Sequence, residues 1–264
     1  MMQLSGRTVL LTGASGGIGA ALCDALVAAG ARVVAVGRNE ARLSQIAQRH
    51  PSGKAIPLVA DLSNDAGCAR VVDTVGRLHE PPSVVILAHA QSAFGLFEEQ
   101  PPSVVRDLIG INLMAPIALI HGLLPLLRRQ EQAAVVAVGS TFGSLAFPGF
   151  AAYSATKFGL RGLMEGLARE YADTGVRFQY LSPRATRTSF NTPAVDALNR
   201  EMNVAQDEPG NVAAQLVAAI VQGRRRLQLG WPEKLFARLN GVLPGLVDRN
   251  LKSQLPLIRR HARQ

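Results

Sequence analysis

Short runs of almost wholly apolar residues recur along this chain, and they constrain its fold more than any other feature. Helical stretches separate the runs. The predicted strands cover residues 8–12, 32–36, 55–59, 84–88, 134–138 and 177–181. Strands that are apolar on both faces are typical of a parallel sheet covered by helices on both sides. The alternation therefore predicts an α/β fold, a doubly wound parallel sheet flanked by helices.

Length and composition favour one domain. The chain has 264 residues, 48% of them hydrophobic, which is enough to bury the core of one α/β domain. Its two cysteines, Cys23 and Cys68, cannot form a disulfide framework. No signal peptide precedes the first strand, and the most apolar stretch, residues 115–127, is too short and too broken by proline to span a bilayer. We therefore expect a cytoplasmic protein.

Positive charge is concentrated in residues 223–264, which we call the basic segment. The basic segment contains 10 Lys and Arg against 2 Asp and Glu, whereas residues 1–222 contain 18 against 17. This asymmetry argues against a general nucleic-acid-binding surface and for a local role of the segment. We predict a catalytic, NADP-binding domain over residues 1–222 and a basic amphipathic, helical C-terminal extension over residues 223–264.

A glycine-rich string follows the first predicted strand and opens the first predicted helix. Gly13, Gly17 and Gly19 lie at this crossover. Glycine at these points permits a tight turn and close approach of the backbone to a pyrophosphate, whose charge suits the N-terminus of a helix. The context predicts a Rossmann-type dinucleotide site. The alternative is an ordinary glycine-rich connection.

The end of the second strand indicates which dinucleotide is bound. An NAD site usually has a carboxylate here for the ribose 2′-hydroxyl, whereas a 2′-phosphate requires a cation. The chain has Gly37 and Arg38, and an arginine can bind phosphate with two hydrogen bonds. We therefore favour NADP(H) over NAD(H). The alternative is a solvated arginine at a strand end.

Tyr153 and Lys157 are four residues apart in a predicted helix, so both side chains lie on one face. A nearby ammonium favours the phenolate and draws the tyrosine pKa toward neutrality, which suits proton transfer to a carbonyl oxygen. Ser140 follows the strand over residues 134–138, where a crevice is expected. Asn112 lies in an otherwise apolar helical stretch, where a polar side chain needs a partner.

Together these motifs resemble those of the classical short-chain dehydrogenase/reductase family, over about residues 6–188. The resemblance rests on the string Thr12-Gly-Ala-Ser-Gly-Gly-Ile-Gly19, Asp61-Leu62, Asn112, Ser140, Tyr153 with Lys157, and Pro183 with Thr188. It implies a single-domain enzyme with about seven parallel strands that forms a homodimer or homotetramer.

The resemblance also implies the role of each catalytic residue. Tyr153 would be the general acid in reduction, and Lys157 would hold the nicotinamide ribose and lower the tyrosine pKa. Ser140 would hydrogen-bond the substrate oxygen. Asn112 would support a water molecule that links Lys157 to bulk solvent. The nicotinamide would supply the hydride.

The same resemblance implies the cofactor contacts. Asp61 and Leu62 would lie beside the adenine, Ile18 at the pyrophosphate and Thr188 near the carboxamide. Asp61 has a second interpretation, as a cap of the third helix. The predicted cofactor site comprises Gly13, Ser15, Gly17, Ile18, Gly19, Arg38, Asp61, Leu62, Ala90, Tyr153, Lys157, Pro183 and Thr188. We predict no metal ligand.

Two positions depart from the family pattern. The family usually has Asn-Asn-Ala-Gly after the fourth strand, where this chain has Ala88-His-Ala-Gln91. Gln91 must point aside or shift the loop, and we expect His89 to be structural rather than catalytic. Arg184 replaces the glycine of a Pro-Gly pair. It binds an acidic substrate group or a cofactor phosphate, or it points to solvent. The predicted substrate contacts are Ser140, Tyr153 and Arg184.

The basic segment has several interpretations. Leu235, Leu239, Val247, Leu251 and Leu255 recur at helical spacing among its cations. Its helices cap the core or form a subunit contact, or they close over a lipophilic substrate, or they dock on a membrane surface or an acidic carrier protein. By resemblance, the substrate lid lies between about residues 188 and 211. That stretch is short and polar, which leaves the basic segment room to complete the pocket.

The sequence thus predicts an NADPH-dependent oxidoreductase that transfers hydride between nicotinamide C4 and a small carbonyl compound or secondary alcohol. The alternative is a non-catalytic protein that senses NADP and binds a partner through its basic segment. The complete set of catalytic residues favours the enzyme. Epimerases and dehydratases of the extended relatives usually have a larger C-terminal domain and a different glycine spacing.

Overall fold

A computed structural model describes residues 2–51 and 53–263, and it contains one sheet of seven parallel strands. The strands are β1 Thr8–Thr12, β2 Arg32–Gly37, β3 Ala55–Val59, β4 Val84–Leu87, β5 Ala133–Val138, β6 Val176–Ser182 and β7 Arg226–Gln228. Their order in the sheet is β3-β2-β1-β4-β5-β6-β7. This confirms the predicted doubly wound parallel sheet.

Helices cover both faces of the sheet. They are α1 Gly17–Ala28, α2 Glu40–Gln48, α3 Asp65–Gly76, α4 Pro102–Ile109, α5 Ala115–Leu127, α6 Ala151–Glu170, α7 Pro193–Glu201, α8 Pro209–Val221, α9 Glu233–Val242 and α10 Pro244–Ala262. Strand residues alternate between two apolar cores: Val9 and Leu11 belong to the core under α1 and α8, and Leu10 belongs to the core under α3, α5 and α6. Burial on both sides explains why the central strands are almost wholly apolar.

One helix is longer than the sequence indicated. A turn of π-helix, Gly110–Met114, joins α4 and α5 into a continuous helix over Pro102–Leu127. By length and composition it is the one helix of the described residues that could cross a membrane. Its inner side chains, among them Leu119 and Leu123, are fully buried in the core that α3 and the sheet complete. This packing is that of a core helix.

The basic segment begins inside the sheet and continues as two helices. β7 pairs with β6, so the sheet extends past the predicted domain boundary at residue 222. Beyond it, α10 packs against α7, where His261 Nε2 lies 2.8 Å from Glu201 Oε2 and Arg260 pairs with the same carboxylate. Val247, Ile258 and His261 are buried at this contact side of α10, whereas α9 has no buried residue.

Candidate active site

A cavity of about 480 Å³ opens at the carboxyl ends of the central strands. β1 and β4 are neighbours in the sheet. β2 and β3 follow on the side of β1, and β5, β6 and β7 follow on the side of β4, so the strand order reverses between them. Such a switch point is where doubly wound sheets bind ligands. One end of the cavity is lined by the glycine turn after β1, and the other by Tyr153 and an aromatic wall.

The glycine turn is built so that side chains would obstruct it. Gly13 has a φ of +69°, and a Cβ there would lie 2.7 Å from the backbone nitrogen of His89. A Cβ on Gly19 would overlap the carbonyl of Gly13, and one on Gly17 would overlap the side chain of Thr188. Gly16 caps α1 without a side-chain hydrogen bond, so the first N–H groups of that helix are left for a ligand.

Two cations lie at the outer end of the cavity. Arg38 was predicted there, whereas Arg42, in the first turn of α2, was missed. Ser15 leaves little room for a side chain at position 37, because a Cβ on Gly37 would lie 2.9 Å from the Ser15 hydroxyl. The sequence signal for Arg42 was its spacing of four from Arg38 across a helix start. Together the two guanidinium groups form an anion-binding end of the site.

Asp61 lies beside this end but does not line the cavity. Its carboxylate accepts a 3.0 Å hydrogen bond from the backbone N–H of Ser63, and this bond, helped by Arg38, lowers the pKa of Asp61. The third helix is capped by Asn64, whose side chain accepts from Gly67. The interpretation of Asp61 as the helix cap is therefore wrong.

Tyr153 and Lys157 are both buried in the first turns of α6 and both line the cavity. Lys157 Nζ lies 5.7 Å from the centre of the Tyr153 ring and donates a 3.3 Å hydrogen bond to the carbonyl of Val138, at the end of β5. Ser140 follows β5, and its hydroxyl, which accepts a 3.1 Å hydrogen bond from the backbone N–H of Phe142, lines the same cavity. The helix and the strand end thus bring three of the predicted catalytic residues into one site.

Burial has the largest effect on the pKa values of Tyr153 and Lys157. It raises the pKa of Tyr153 above its usual range, although the nearby Ser140 hydroxyl acts in the opposite direction. Burial also lowers the pKa of Lys157 to about 8. We had expected the lysine to draw the tyrosine pKa toward neutrality. In this structure burial has the largest effect on the pKa of Tyr153, so its phenol stays neutral at neutral pH.

Asn112 lies behind the cavity rather than in its wall. It is buried within the π turn, and its amide makes two 2.8 Å hydrogen bonds with the backbone of Gln91. A further bond of 3.2 Å reaches the hydroxyl of Thr156, beside Lys157 on α6. The hydrogen-bond partner of the buried Asn112 is therefore the loop after β4. This loop contains Gln91, which replaces the glycine of the family pattern.

His89 serves this loop as a structural residue. Its Nδ1 lies 2.6 Å from the hydroxyl of Thr12, at the end of β1. Burial, aided by the ammonium of Lys157, lowers the pKa of His89 to about 3, so the imidazole is neutral at physiological pH. A neutral imidazole that joins two strand ends fits the predicted structural role.

Arg184 takes neither of the two orientations that the sequence left open. Its guanidinium makes two hydrogen bonds, of 3.0 and 2.7 Å, with the carboxylate of Asp207 and lies 3.6 Å from that of Glu233. The pair with Asp207 raises the pKa of Arg184. Arg184 and Glu233 both line the cavity, but the cation is neutralised by partners within the chain. It is therefore not a free binding group for a substrate acid.

The wall around Tyr153 is aromatic, a feature that the sequence did not predict. Phe142, Phe150 and Phe190 have ring centres within about 6.3 Å of the tyrosine ring, and Phe147 stacks on Phe142. Helix α7 closes this end with apolar side chains. The lining residues of α7 and its following turn are Val195, Leu198, Asn199, Met202 and Val204, of which only Asn199 is polar. The part of the cavity beside the phenol is therefore mostly apolar.

The basic segment does not close over Tyr153. Within it, only Glu233 lies among the cavity residues of the described chain. α10 supports α7 from outside, through the contacts with Glu201. The idea that the basic segment acts directly as the substrate lid is thus wrong, because α7 occupies that place.

Most of the predicted site residues line this one cavity. The exceptions are Asp61, on its outer edge, and Asn112, behind the loop after β4. The predicted residues in the wall are Gly13, Ser15, Gly17, Ile18, Gly19, Arg38, Leu62, Ala90, Ser140, Tyr153, Lys157, Pro183, Arg184 and Thr188. Their individual roles stay predictions.

Comparisons with known proteins agree with this geometry. Residues 7–199 match the short chain dehydrogenase family. A short chain dehydrogenase of Pseudocercospora fijiensis is 30% identical over 201 residues, which cover 75% of this chain and 65% of that relative, so this chain spans about two thirds of its length. A solved short-chain dehydrogenase from Streptomyces avermitilis is 30% identical, with a TM-score of 0.81 over 97% of this chain and 98% of that one.

A second solved structure contains a nucleotide. It is a short-chain dehydrogenase from Sphingobium yanoikuyae in complex with NADPH, 25% identical, with a TM-score of 0.78 over 92% of this chain and 95% of that one. The family match covers most of the chain, and the fold agrees over almost all of it. The chain therefore belongs to the short-chain dehydrogenase/reductase family of NAD(P)-dependent oxidoreductases.

Proposed function

We propose that this enzyme uses NADPH to reduce the carbonyl group of a lipophilic small molecule, or NADP⁺ to oxidise the corresponding secondary alcohol. The observation that carries the proposal is the position of the Tyr153 phenol. It lies in the same cavity as Ser140 and Lys157, between a glycine turn with two cations at one end and an aromatic wall at the other.

The residues present fit a dinucleotide. The glycine turn leaves backbone N–H groups of α1 for a pyrophosphate, and a side chain at Gly17 or Gly19 would obstruct that cradle. Arg38 and Arg42 suit a 2′-phosphate, and Lys157 suits the ribose hydroxyls nearest the phenol. When bound, the nicotinamide would exchange a hydride with the substrate carbon.

The protein's part in the chemistry is proton transfer. A neutral Tyr153 donates its proton to the carbonyl oxygen as that oxygen gains negative charge, and the phenol becomes a phenolate. The Ser140 hydroxyl positions the same oxygen, and the Lys157 ammonium stabilises the phenolate. Solvent then returns a proton to the tyrosine. In alcohol oxidation each step runs in reverse.

The aromatic wall favours a lipophilic substrate. The side chains of this end of the cavity are largely apolar apart from Tyr153, Ser140, Thr141, Asn191 and Asn199, and Arg184 is occupied by Asp207. Apart from the Lys157 ammonium, which we assign to the ribose and the phenolate, an acidic group on the substrate would meet no free cation among the described residues at this end. Aryl or long-chain ketones match the wall best.

Replacing Tyr153 with phenylalanine tests the mechanism. Consumption of NADPH with a panel of aryl and alkyl ketones should fall by roughly a thousandfold, the contribution of a general acid, while the Kd for NADPH stays unchanged. A near wild-type rate in this variant would contradict the proposed proton transfer by Tyr153. Tight NADPH binding without turnover of any carbonyl in the wild type would favour the non-catalytic alternative.

The substrate class has a matched test of its own. Phe190→Ala removes a ring that lies 6.2 Å from Tyr153, whereas Phe97→Ala removes an exposed ring outside the cavity. We expect kcat/KM for aryl ketones to fall by roughly tenfold in the first variant only, because lost apolar contact weakens binding by about 1–3 kcal/mol. Equal behaviour of the two variants would contradict a lipophilic pocket.

We further propose that the enzyme is a homo-oligomer. Ile109, Met114 and Phe158 are exposed apolar residues on the neighbouring α4–α5 and α6 helices, whose contact is close. A shared apolar surface of this kind suits a subunit contact. Light scattering during gel filtration would measure the mass in solution, and a monomer would refute the proposal.

A further inference from the structure

A second exposed apolar surface runs from Trp231, just before α9, along α9 to the first turn of α10. We call it the docking face. Its members are Trp231, Leu235, Phe236, Val242, Leu243 and Leu246. Val242 is 77% exposed, Trp231 69% and Leu246 60%. Because α9 has no buried residue, this helix does not use its apolar side chains to build the core. Large apolar groups left in water in this number indicate an interaction surface.

Exposed cations lie on the same two helices as the docking face. Lys234, Arg238, Arg249, Lys252 and Arg259 are exposed, and they form no ion pair within the described residues. Of the two acids in the basic segment, Glu233 is directed toward Arg184, and only Asp248 is exposed. The surface therefore combines apolar side chains with excess positive charge.

We propose that the docking face binds the surface of an anionic lipid bilayer. An interfacial helix has Trp, Phe and Leu on one side and Lys or Arg on the other, and it lies in the plane of the headgroups. The apolar side chains enter the boundary of the acyl chains, while the long cationic side chains reach the lipid phosphates. The docking face has both components.

The excess positive charge of the docking face argues against a second copy of this chain as its binding partner. In a two-fold contact the same surface meets itself, so each unpaired cation would face the cations of the partner. Like charges in contact are costly, and this surface offers only Asp248 to offset them. An anionic bilayer instead presents the complementary charge along the whole surface.

The docking face is held beside the active-site cavity. Glu233, the first residue of α9, lines the cavity and contacts Arg184, and Asn240 donates a 3.0 Å hydrogen bond to the carbonyl of Ser144. Docking would therefore bring the cavity close to the lipid. If the proposed preference for lipophilic carbonyls is correct, the enzyme would meet its substrate where that substrate accumulates. Bilayer binding itself does not depend on that preference.

Trp231 allows a direct test because it is the only tryptophan of the chain. The full-length protein is mixed with vesicles of phosphatidylcholine, with or without phosphatidylglycerol, and separated by flotation. We expect binding to the anionic vesicles only, with a shift of the tryptophan emission to shorter wavelength and weaker binding at high salt. Binding without an emission shift would place the contact elsewhere and overturn the proposal.

Matched variants separate this surface from general positive charge. Arg249→Glu with Lys252→Glu should weaken binding by roughly tenfold or more, since each cation near an anionic surface adds to the affinity. Lys54→Glu with Arg70→Glu makes the same change in net charge at two exposed cations elsewhere and should have a much smaller effect. Equal loss in both pairs would overturn the proposal.

A third pair of changes tests the apolar component. Leu243→Ser with Leu246→Ser should reduce vesicle binding by roughly tenfold and leave the turnover of a water-soluble ketone unchanged, because both side chains are exposed outside the cavity. If the wild type ignores anionic vesicles and these changes alter its oligomeric mass instead, the face is a subunit contact. Exclusive binding to an acidic protein would also defeat the proposal. Vesicle binding needs no catalysis, so its outcome is independent of the proposed activity.

Discussion

The side chain of Asn112 is bonded to both backbone groups of Gln91: its Oδ1 accepts from the N–H, and its Nδ2 donates to the carbonyl, each at 2.8 Å. The same amide reaches Thr156, which in turn donates a 2.7 Å hydrogen bond to the carbonyl of Tyr153. One buried residue thus connects the loop after β4 with the helix that carries the phenol and Lys157. We infer that Asn112 is a positioning residue.

Replacing Asn112 with leucine, which has a similar volume, should destabilise the protein by about 3 kcal/mol, because it leaves two partly buried backbone groups of Gln91 without partners and removes a hydrogen bond to Thr156. Urea denaturation measures this change. Gln91→Ala is the matched control. The bonds to Gln91 use its backbone, so this variant should lose less than about 1 kcal/mol. Similar losses in both variants would show that the glutamine side chain, rather than its backbone, is what matters.

Arg184 and Asp207 form a partly buried pair, with side chains 18% and 19% exposed. Arg184→Ala leaves Asp207 and Glu233 with no cation between them, and we expect a loss of about 1–3 kcal/mol, measured by urea denaturation. Arg187→Ala removes the cation of a comparable but exposed pair with Glu208, 66% and 57% exposed, and should cost less than about 1 kcal/mol. A double variant, Arg184→Ala with Asp207→Ser, should recover part of the first loss. Full additivity would contradict a direct interaction.

The strands could be predicted because one simple requirement governs them. Residues of β1 and β2 other than Arg32 are buried and nearly all of them are apolar, so the predicted bounds agree with the observed ones to within about a residue. β7 was not recognised from its residues, since Arg226–Gln228 is short, lies at the sheet edge and is only partly buried. The continuous α4–α5 helix was also missed, because prolines near Ala115 suggested a break.

The site was predictable where a local motif sets it and was not predictable where tertiary contacts set it. The glycine turn and the Tyr153–Lys157 pair have fixed spacings within a single connection or helix. The aromatic wall joins Phe142 and Phe190, almost fifty residues apart, and nothing in the local sequence indicates that they meet. Arg184 likewise has its partner at Asp207, in a different connection. Such pairs follow from the fold and not from a pattern.

The cofactor preference depends on Arg38 and Arg42. Arg38→Ala should weaken NADPH binding by roughly tenfold, the contribution of a charge-assisted hydrogen bond, and leave NADH binding nearly unchanged. Arg42→Ala should act in the same direction. Titrations of each nucleotide against the purified protein give both dissociation constants. Arg70→Ala, which removes an exposed cation outside the cavity, is the control. Equal weakening of NADPH and NADH would defeat the assignment to a 2′-phosphate.

Burial lowers the pKa of Lys157 from its usual 10.5 to about 8, and this has a consequence for stability. Between these values the unfolded chain still binds the proton while the native protein has released it, so stability rises with pH across this window. Below about pH 8 the folded protein bears the full cost of a buried ammonium, roughly 3 kcal/mol. The ammonium also donates a 3.3 Å hydrogen bond to the carbonyl of Val138.

Lys157→Met removes that cost and fills the same space. In the absence of nucleotide, the variant should be more stable than the wild type at about pH 7, and this advantage should shrink by about 2 kcal/mol at about pH 9.5, where the wild-type lysine is mostly neutral. Urea denaturation at the two pH values measures the difference, and Lys54→Met, a change at an exposed lysine, supplies the baseline. An advantage that stays constant or grows with pH would mean that the ammonium is stabilised within the site, and that Val138 and its surroundings solvate it better than their burial indicates.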